Sequence, residues 1–460
     1  MALGWDEFAY LDITARNDWS STLPRGGRSF FYPGVTGSFI FTKFIPKNDV
    51  LSFGKVRLAY GKTGNDADPY YTLTNYTQAS TDAYYVLDVI KFPLNGINAY
   101  QASSIAGAST LRPEMTSEFE AGLNLKFFNG RIDIDGSFYN RETKDQIFSL
   151  PIDQVINFGK IRNRGFELML NTVPVVTTDF RWELGFNVAI NRNKVLSMPD
   201  ALEGGKVNIY SFSAGNDAVY MYAEQGKALG EFYTYLPQYV TDTNSPDYGK
   251  PIVDSAGQPV LGTQIEDTGF SMNHKWTGGV TTAISYKGIT LSAALDVRVG
   301  GKMFSRTKNL MQFTGNGKMT EYNERRPFII PNSVVDNGDG TYSPNTTPIY
   351  LLDGSLQTYF NEKGWGNGGL SYLIDRSYTK LRNISLSWAV PSKWCRAMSL
   401  SEVDLTAYCN NAFIWTAKDN RYGDPESTTG TAYGDLAYGF GELYSNPSQR
   451  TFGVNLKVKF

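Results

Sequence analysis

The sequence is short of several things that the common kinds of chain need. It has two cysteines, Cys395 and Cys409, and a single histidine, His274. Two cysteines cannot build a disulfide framework, and the strand spacing between them is too long for a bond at ~3.3 Å per residue, so both are read as free thiols. One imidazole cannot assemble a histidine-rich metal site. Charged residues make up 19% of the chain, below the usual quarter or so, and the net charge of −2 supplies no basic field for nucleic acid. No apolar run reaches about 18 residues, which excludes a helical membrane span. The start, "MALGWDEFAY", lacks the basic and apolar regions of a secretory leader.

Abundant glycines and aromatics take their place: 45 Gly, 29 Tyr and 28 Phe in 460 residues. The dominant pattern is a period of two. In "TFGVNLKVKF" the apolar set is Phe452, Val454, Leu456, Val458 and Phe460, with Thr451, Gly453, Asn455, Lys457 and Lys459 between. The same alternation returns in "SEFEAGLNLKF", "RIDIDGSFYN", "FRWELGFNVAI", "ITLSAALDVRV", "LRNISLSWAV" and "EVDLTAYC". Alternate side chains leave a strand on opposite faces. One face is therefore apolar throughout and the other polar or charged.

About twelve strands are predicted, near 7–16, 34–44, 50–60, 117–128, 131–141, 164–173, 180–192, 275–286, 289–300, 377–390, 401–413 and 449–460. Short turns alternate with long segments (17–33, 61–116, 142–163, 193–274, 301–376 and 414–448). This is the loop layout of a transmembrane antiparallel β-barrel, all-β, with short turns on one side and long loops on the other. Rings sit beside the short turns: Phe127, Phe128, Trp182, Tyr286, Trp388 and the terminal Phe460 are read as an interfacial girdle. Glu118, Glu120, Asp133, Asp135, Asp296 and Arg298 fall on the polar face and are expected to line a lumen.

Sites of chemistry are few. "GWGNGG" (364–369) spells the spacing of a dinucleotide loop, but a strand follows it where a helix is needed, so an external loop is expected. Glu118 and Glu120 have the separation of a glycosidase pair, ~6.6–7 Å along a strand. Their acidic and basic neighbours make a solvated wall the better reading. "DNGDGTY" (336–342) places Asp336 and Asp339 around glycines, yet Gly338 interrupts the ligand spacing of a calcium loop. Calcium is the weak candidate there; otherwise no cofactor, no metal and no enzyme is expected. His274 is expected to cap a strand at the outer rim.

Several stretches together resemble the SusC/RagA family of TonB-dependent outer-membrane transporters of Bacteroidetes. They are "LDITARNDWSSTLP" (11–24), 111–151 from "LRPEMTSEFE" on, "IRNRGFELML" (161–170), "YTKLRNISLSWAVP" (378–391), "YGDPES" (422–427) and the closing "QRTFGVNLKVKF". The resemblance implies the C-terminal part of a 22-stranded barrel, with the plug domain and first strands absent from this chain. It implies partners: that N-terminal barrel and plug portion, a SusD-like surface lipoprotein as lid, TonB acting through the absent plug, and the lipid bilayer. Residues 8–16 are then expected to pair with a strand of the absent portion. The implied role is import of oligosaccharides, or less readily peptides. Trp365, Tyr372, Trp415 and Tyr422 in the long loops are candidate solute contacts, since rings stack on sugar C–H faces. The C-terminus and short turns are expected in the periplasm and the long loops outside the cell. The alternatives are a barrel serving as scaffold in a larger envelope complex and, further off, a passive pore.

Overall fold

The computed structural model describes residues 1–81, 90–93, 95–102, 106–150, 154–199, 205–212, 218–428, 439–442, 446 and 448–460. Parts of the long segments 61–116, 193–274 and 414–448, and Pro151 of the 111–151 stretch, lie outside them. Thirteen strands join in one antiparallel sheet. They are β1 (Ala2–Trp5), β2 (Ala9–Trp19), β3 (Ser29–Phe39), β4 (Leu51–Asn65), β5 (Glu114–Phe127), β6 (Ile132–Leu150), β7 (Gln154–Val176), β8 (Phe180–Ser197), β9 (Trp276–Tyr286), β10 (Ile289–Val299), β11 (Tyr378–Ala389), β12 (Glu402–Thr416) and β13 (Thr451–Lys459). Each pairs with its neighbours in chain order.

The alternation sorts the two faces inversely to a water-soluble sheet. Phe119, Leu123, Phe138, Phe166, Phe186, Leu291, Leu386, Leu405, Phe452, Val454 and Leu456 are all exposed. The polar face between them carries ion pairs (below). From Trp182 to Ile190 the apolar stripe spans eight residue steps, about 26 Å at ~3.3 Å each. That matches the ~25 Å apolar band of an outer-membrane barrel.

Three details differ from expectation. Residues 8–16 have a partner within the chain: β1 lies against β2, with Leu3 opposite Leu11, and Asp6 and Glu7 turn the chain at positive φ. Segment 142–163 is not a loop. Strands β6 and β7 run on into it, pairing from Glu142–Arg162 to Leu150–Gln154. Residues 41–44, expected in the second strand, form a 3-10 turn beyond β3.

The long segments fold as well. Lys206–Phe212, Val219–Glu224, Glu231–Pro237 and Leu261–Ser271 make a four-stranded sheet. Beside it, Lys302–Ser305 lies between Leu373–Asp375 and Gly441–Glu442. A core of Phe158, Val195, Met221, Phe232, Phe304, Tyr372 and Phe440 ties this cap to the ends of β7 and β8. Of the glycines of 364–369, expected in an external loop, Gly369 is closely packed. A Cβ on Gly369 would lie 2.4 Å from Thr234 Oγ1 and 2.7 Å from Val219 Cγ2.

Candidate functional site

The polar face of β4, β5 and β6 is a network of ions. Arg57 reaches across β5 to Asp135 with two hydrogen bonds, at 2.7 and 2.9 Å, and its Nε meets Glu120 at 3.3 Å. Arg141 donates to Glu118 at 2.7 Å, and Lys126 stands 3.5 Å from Asp133. Asn124 donates to both Asp133 and Asp135. Tyr139 lays its ring over Gly165 and donates to Asn191 at 3.2 Å. Arg57, Glu118, Glu120, Asp135, Tyr139 and Arg141 line a groove of about 840 Å³ that also takes in Asn163 and Glu167. With their charges spent on Arg57 and Arg141, Glu120 and Glu118 are a wall rather than an acid–base pair.

Gly122 makes this network possible. A Cβ there would sit 2.4 Å from Arg57 Nε, on the path the side chain takes to Asp135. Gly122→Ala is therefore expected to break the bidentate contact and cost about 1.5–3 kcal/mol, the range for hydrogen bonds to charged groups. Thermal unfolding checks it in a double-mutant cycle: on an Arg57→Gln background Gly122→Ala adds little, and a full additive loss would refute the mechanism.

A second network centres on β11. Read from Trp388 backward, strict alternation puts Leu386 and Ile384 on the apolar face and would put Arg382, Lys380 and Tyr378 there too. A register shift between Leu381 and Asn383 reverses the phase, so both Asn383 and Arg382 turn to the polar face. Arg382 pairs with Asp296 and Glu426. Lys380 bonds Asp424 at 2.7 Å and Glu426 at 2.6 Å. Arg298 reaches Glu426 at 3.2 Å, and Tyr378 donates to Asp296 at 3.1 Å and Glu426 at 2.8 Å. The loop carrying "YGDPES" is thereby strapped to the wall. Burial opposes ionisation of Glu426, but hydrogen bonds from Arg382, Lys380 and Tyr378 outweigh it and hold the carboxyl well below its ordinary range. Sequence reading placed Asp296 and Arg298 and missed Lys380, Arg382, Asp424 and Glu426. The signal was present: two cations at alternate positions, in phase with Leu386 and Trp388, demand either a bulge or charges in lipid.

The aromatic candidates part company. Tyr372 is fully buried, bonded to the carbonyl of Asn361 at 2.8 Å and packed in the cap core, so it offers no ring to a solute. Trp415 pairs opposite Thr379, in phase with Phe413, and stacks on that ring on the exposed apolar face. Both readings are corrected; Trp415 continues the apolar series of Leu405 and Phe413 because β12 runs on to Thr416. Trp365 packs edge-on against Tyr322 and Phe360 in a second loop core. Tyr422 is half-buried with Lys308 5.8 Å over its ring. Of the girdle residues, Phe127, Phe128, Trp182, Tyr286 and Trp388 lie at the short-turn ends of their strands, and Phe460 follows β13 with 91% exposure.

Asp336 and Asp339 spend their carboxylates on the backbone N–H groups of Gly338 and Thr341, closing a hairpin. His274 bonds the Gly300 carbonyl two residues ahead of β9, and burial, helped by Arg376, lowers its pKa to about 4.

In the cap, Lys227 bridges Glu224 and Asp267. Glu231 nearby forms no ion pair among the described residues: burial, reinforced by Asp267, raises its pKa to about 7. A raised carboxyl pKa favours the folded cap while the group is protonated. That contribution is complete below the ordinary Glu value near 4.3 and is lost as pH rises through about 7. The thermal midpoint in detergent is expected to fall between pH 5 and 8, and Glu231→Gln should flatten that slope; an unchanged slope would count against it.

An antiparallel sheet with an exposed apolar belt, a ring-lined short-turn end and ion pairs on its other face is the wall of an outer-membrane β-barrel. The family model described as TonB dependent receptor-like, beta-barrel matches residues 4–412, and the chain belongs to that family. It is 24% identical over 97% of its length to TonB-dependent receptor P3 of Formosa agariphila, covering 44% of that protein. It is 29% identical over 62% of its length to TonB-dependent receptor SusC of Bacteroides thetaiotaomicron, covering 29% of it. Among solved structures, the RagAB peptide transporter superposes with a TM-score of 0.72 at 20% identity, over 100% of this chain and 46% of that one. The SusC/RagA likeness read from the motifs is borne out. The chain spans less than half the length of these relatives.

Proposed function

We propose that this chain supplies lumen wall and outer loops to a SusC-like importer that carries polar oligomers across the outer membrane, driven through TonB. The observation behind this reading is the inverted sheet: lipid-compatible outside, ion-paired and grooved inside. The free edges of β1 and β13 pair, in this reading, with strands of the remaining barrel, because an open edge in lipid leaves backbone groups unsatisfied. Those strands and a plug complete a 22-stranded wall. A SusD-like lipoprotein covers the long loops, which face the cell exterior, and the short turns face the periplasm. The solute is an oligosaccharide or a peptide; it is moved without chemical change and without a cofactor. The charge-rich groove, and the loss of Tyr372 and Trp415 as stacking platforms, favour the peptide alternative more than sequence alone did.

Native mass spectrometry of the detergent-extracted protein, with proteomics on the same band, tests this. Plug-bearing polypeptide, a lid lipoprotein and a solute ladder spaced by hexoses or by amino-acid residues support the importer. A complex of other envelope proteins with neither plug nor lid would make the barrel a scaffold.

A further inference from the structure

Above the apolar belt, the outward face of β7 and β8 changes abruptly from hydrocarbon to cations. The outward side chains of β7 are Leu170, Leu168 and Phe166, then Arg164 and Arg162; those of β8 are Phe186, Val188 and Ile190, then Arg192 and Lys194. Register sets Arg164 directly opposite Arg192 and Arg162 directly opposite Lys194. Opposed residues stand ~5 Å apart at Cβ, and successive outward residues about 7 Å apart. Four positive heads thus share one patch. Like charges opposed in this way are destabilising unless something neutralises them.

Little in the chain does. The adjacent outward acid on β6 is Glu142, and it is taken by Lys160. Among the described residues Arg162, Arg164 and Lys194 form no ion pair and no side-chain hydrogen bond. Arg192 is held by the carbonyls of Asn191 and Lys275, at 2.9 and 2.8 Å, which orients it without cancelling its charge. The intervening residues Ile161 and Val195 turn the other way and are buried in the cap core, so the cations are not part of that packing. Arg164, Arg192 and Lys194 are exposed.

We propose that Arg162, Arg164, Arg192 and Lys194 bind the phosphate of a lipid A headgroup in the outer leaflet, whose acyl chains lie along Phe166, Leu168, Val188 and Ile190. Guanidinium forks suit phosphate oxygens, and an anion between the two strands removes the cross-strand repulsion. The apolar stripe directly below is what distinguishes a lipid from a free anion. The inference rests on the reading above that the long-loop end faces outward.

The test uses the intact purified complex, delipidated in detergent and titrated by native mass spectrometry with phosphorylated lipid A, dephosphorylated lipid A, phosphatidylglycerol or inorganic phosphate. Phosphorylated lipid A should bind at least tenfold more tightly than the other three. The variant Arg162→Gln/Arg164→Gln/Arg192→Gln/Lys194→Gln should lose that preference. Without lipid its thermal midpoint should equal or exceed the parent's, since it sheds repulsion, and this shows that it folds. Equal binding by the variant, by dephosphorylated lipid A or by inorganic phosphate would overturn the site. In parallel, Leu352→Cys, at a fully exposed loop position, is probed with a membrane-impermeant maleimide on intact cells. Labelling together with absent lipid A binding defeats the site alone. Labelling only after permeabilisation defeats the outward orientation, and the outer-leaflet source with it.

Discussion

Replacing Lys380 with methionine is expected to free the 417–428 loop and to cost about 3–5 kcal/mol, the loss typical of removing one partner from a buried ion network. Its side chain is 3% exposed, and that of Asp424 6%. The ammonium is shared by Asp424 and Glu426, so its loss leaves Asp424 without a cation while Glu426 keeps Arg382 and Arg298. Hydrogen exchange over 417–428 and thermal unfolding in detergent read the outcome; unchanged protection would sink it. Adding Asp424→Asn should recover part of the loss, because it removes the charge left without a partner. The acid limb follows with a definite sign. Asp424 and Glu426 are held below their ordinary values by these cations, against the opposing effect of burial. Their contribution is present above the unfolded carboxylate range near pH 4 and disappears as pH falls through the lower folded values. Lys380→Met should make that fall shallower.

The second large effect belongs to the opposite face. Leu123 lies mid-belt between Val56 and Gly136 and is exposed. Leu123→Arg puts a guanidinium into hydrocarbon, and a loss of about 2–4 kcal/mol is expected for a cation at the bilayer midplane. Ser137→Arg, opposite Gly122 on the polar face, should cost far less because it enters a groove already lined with carboxylates. Equilibrium unfolding from lipid vesicles compares the two. Equal losses would mean that the faces are not sorted between lipid and water as argued.

Legibility in the sequence followed one physical fact, that side-chain direction in a strand has period two. Where alternation is unbroken, as in 117–127, 180–190 and 289–299, strand, facing and girdle position could all be read in advance. It failed where one residue is added. The bulge at Arg382 reverses every side chain beyond it, so Lys380 as a buried latch does not follow from counting by twos, whereas Trp415 was missed because its strand runs past 413. It failed also over 142–163, where polar residues continue a hairpin beyond the membrane belt and look like loop.

The chain's sequence by itself determined the inverted sheet. Alternation, low charge and rings at short turns are local properties, and the bilayer selects among them through solvation alone. Only the tertiary structure decided what the polar residues do. Glu118 and Glu120 become a neutralised wall because Arg57 and Arg141 arrive from other strands, one of them across a glycine. The YGDPES loop becomes a strap because a bulge turns Lys380 and Arg382 toward it. Tyr372 becomes core because distant loops fold over it. Each outcome depends on groups far apart in the chain meeting at hydrogen-bond distance, and a single strand's pattern carries no record of its partners.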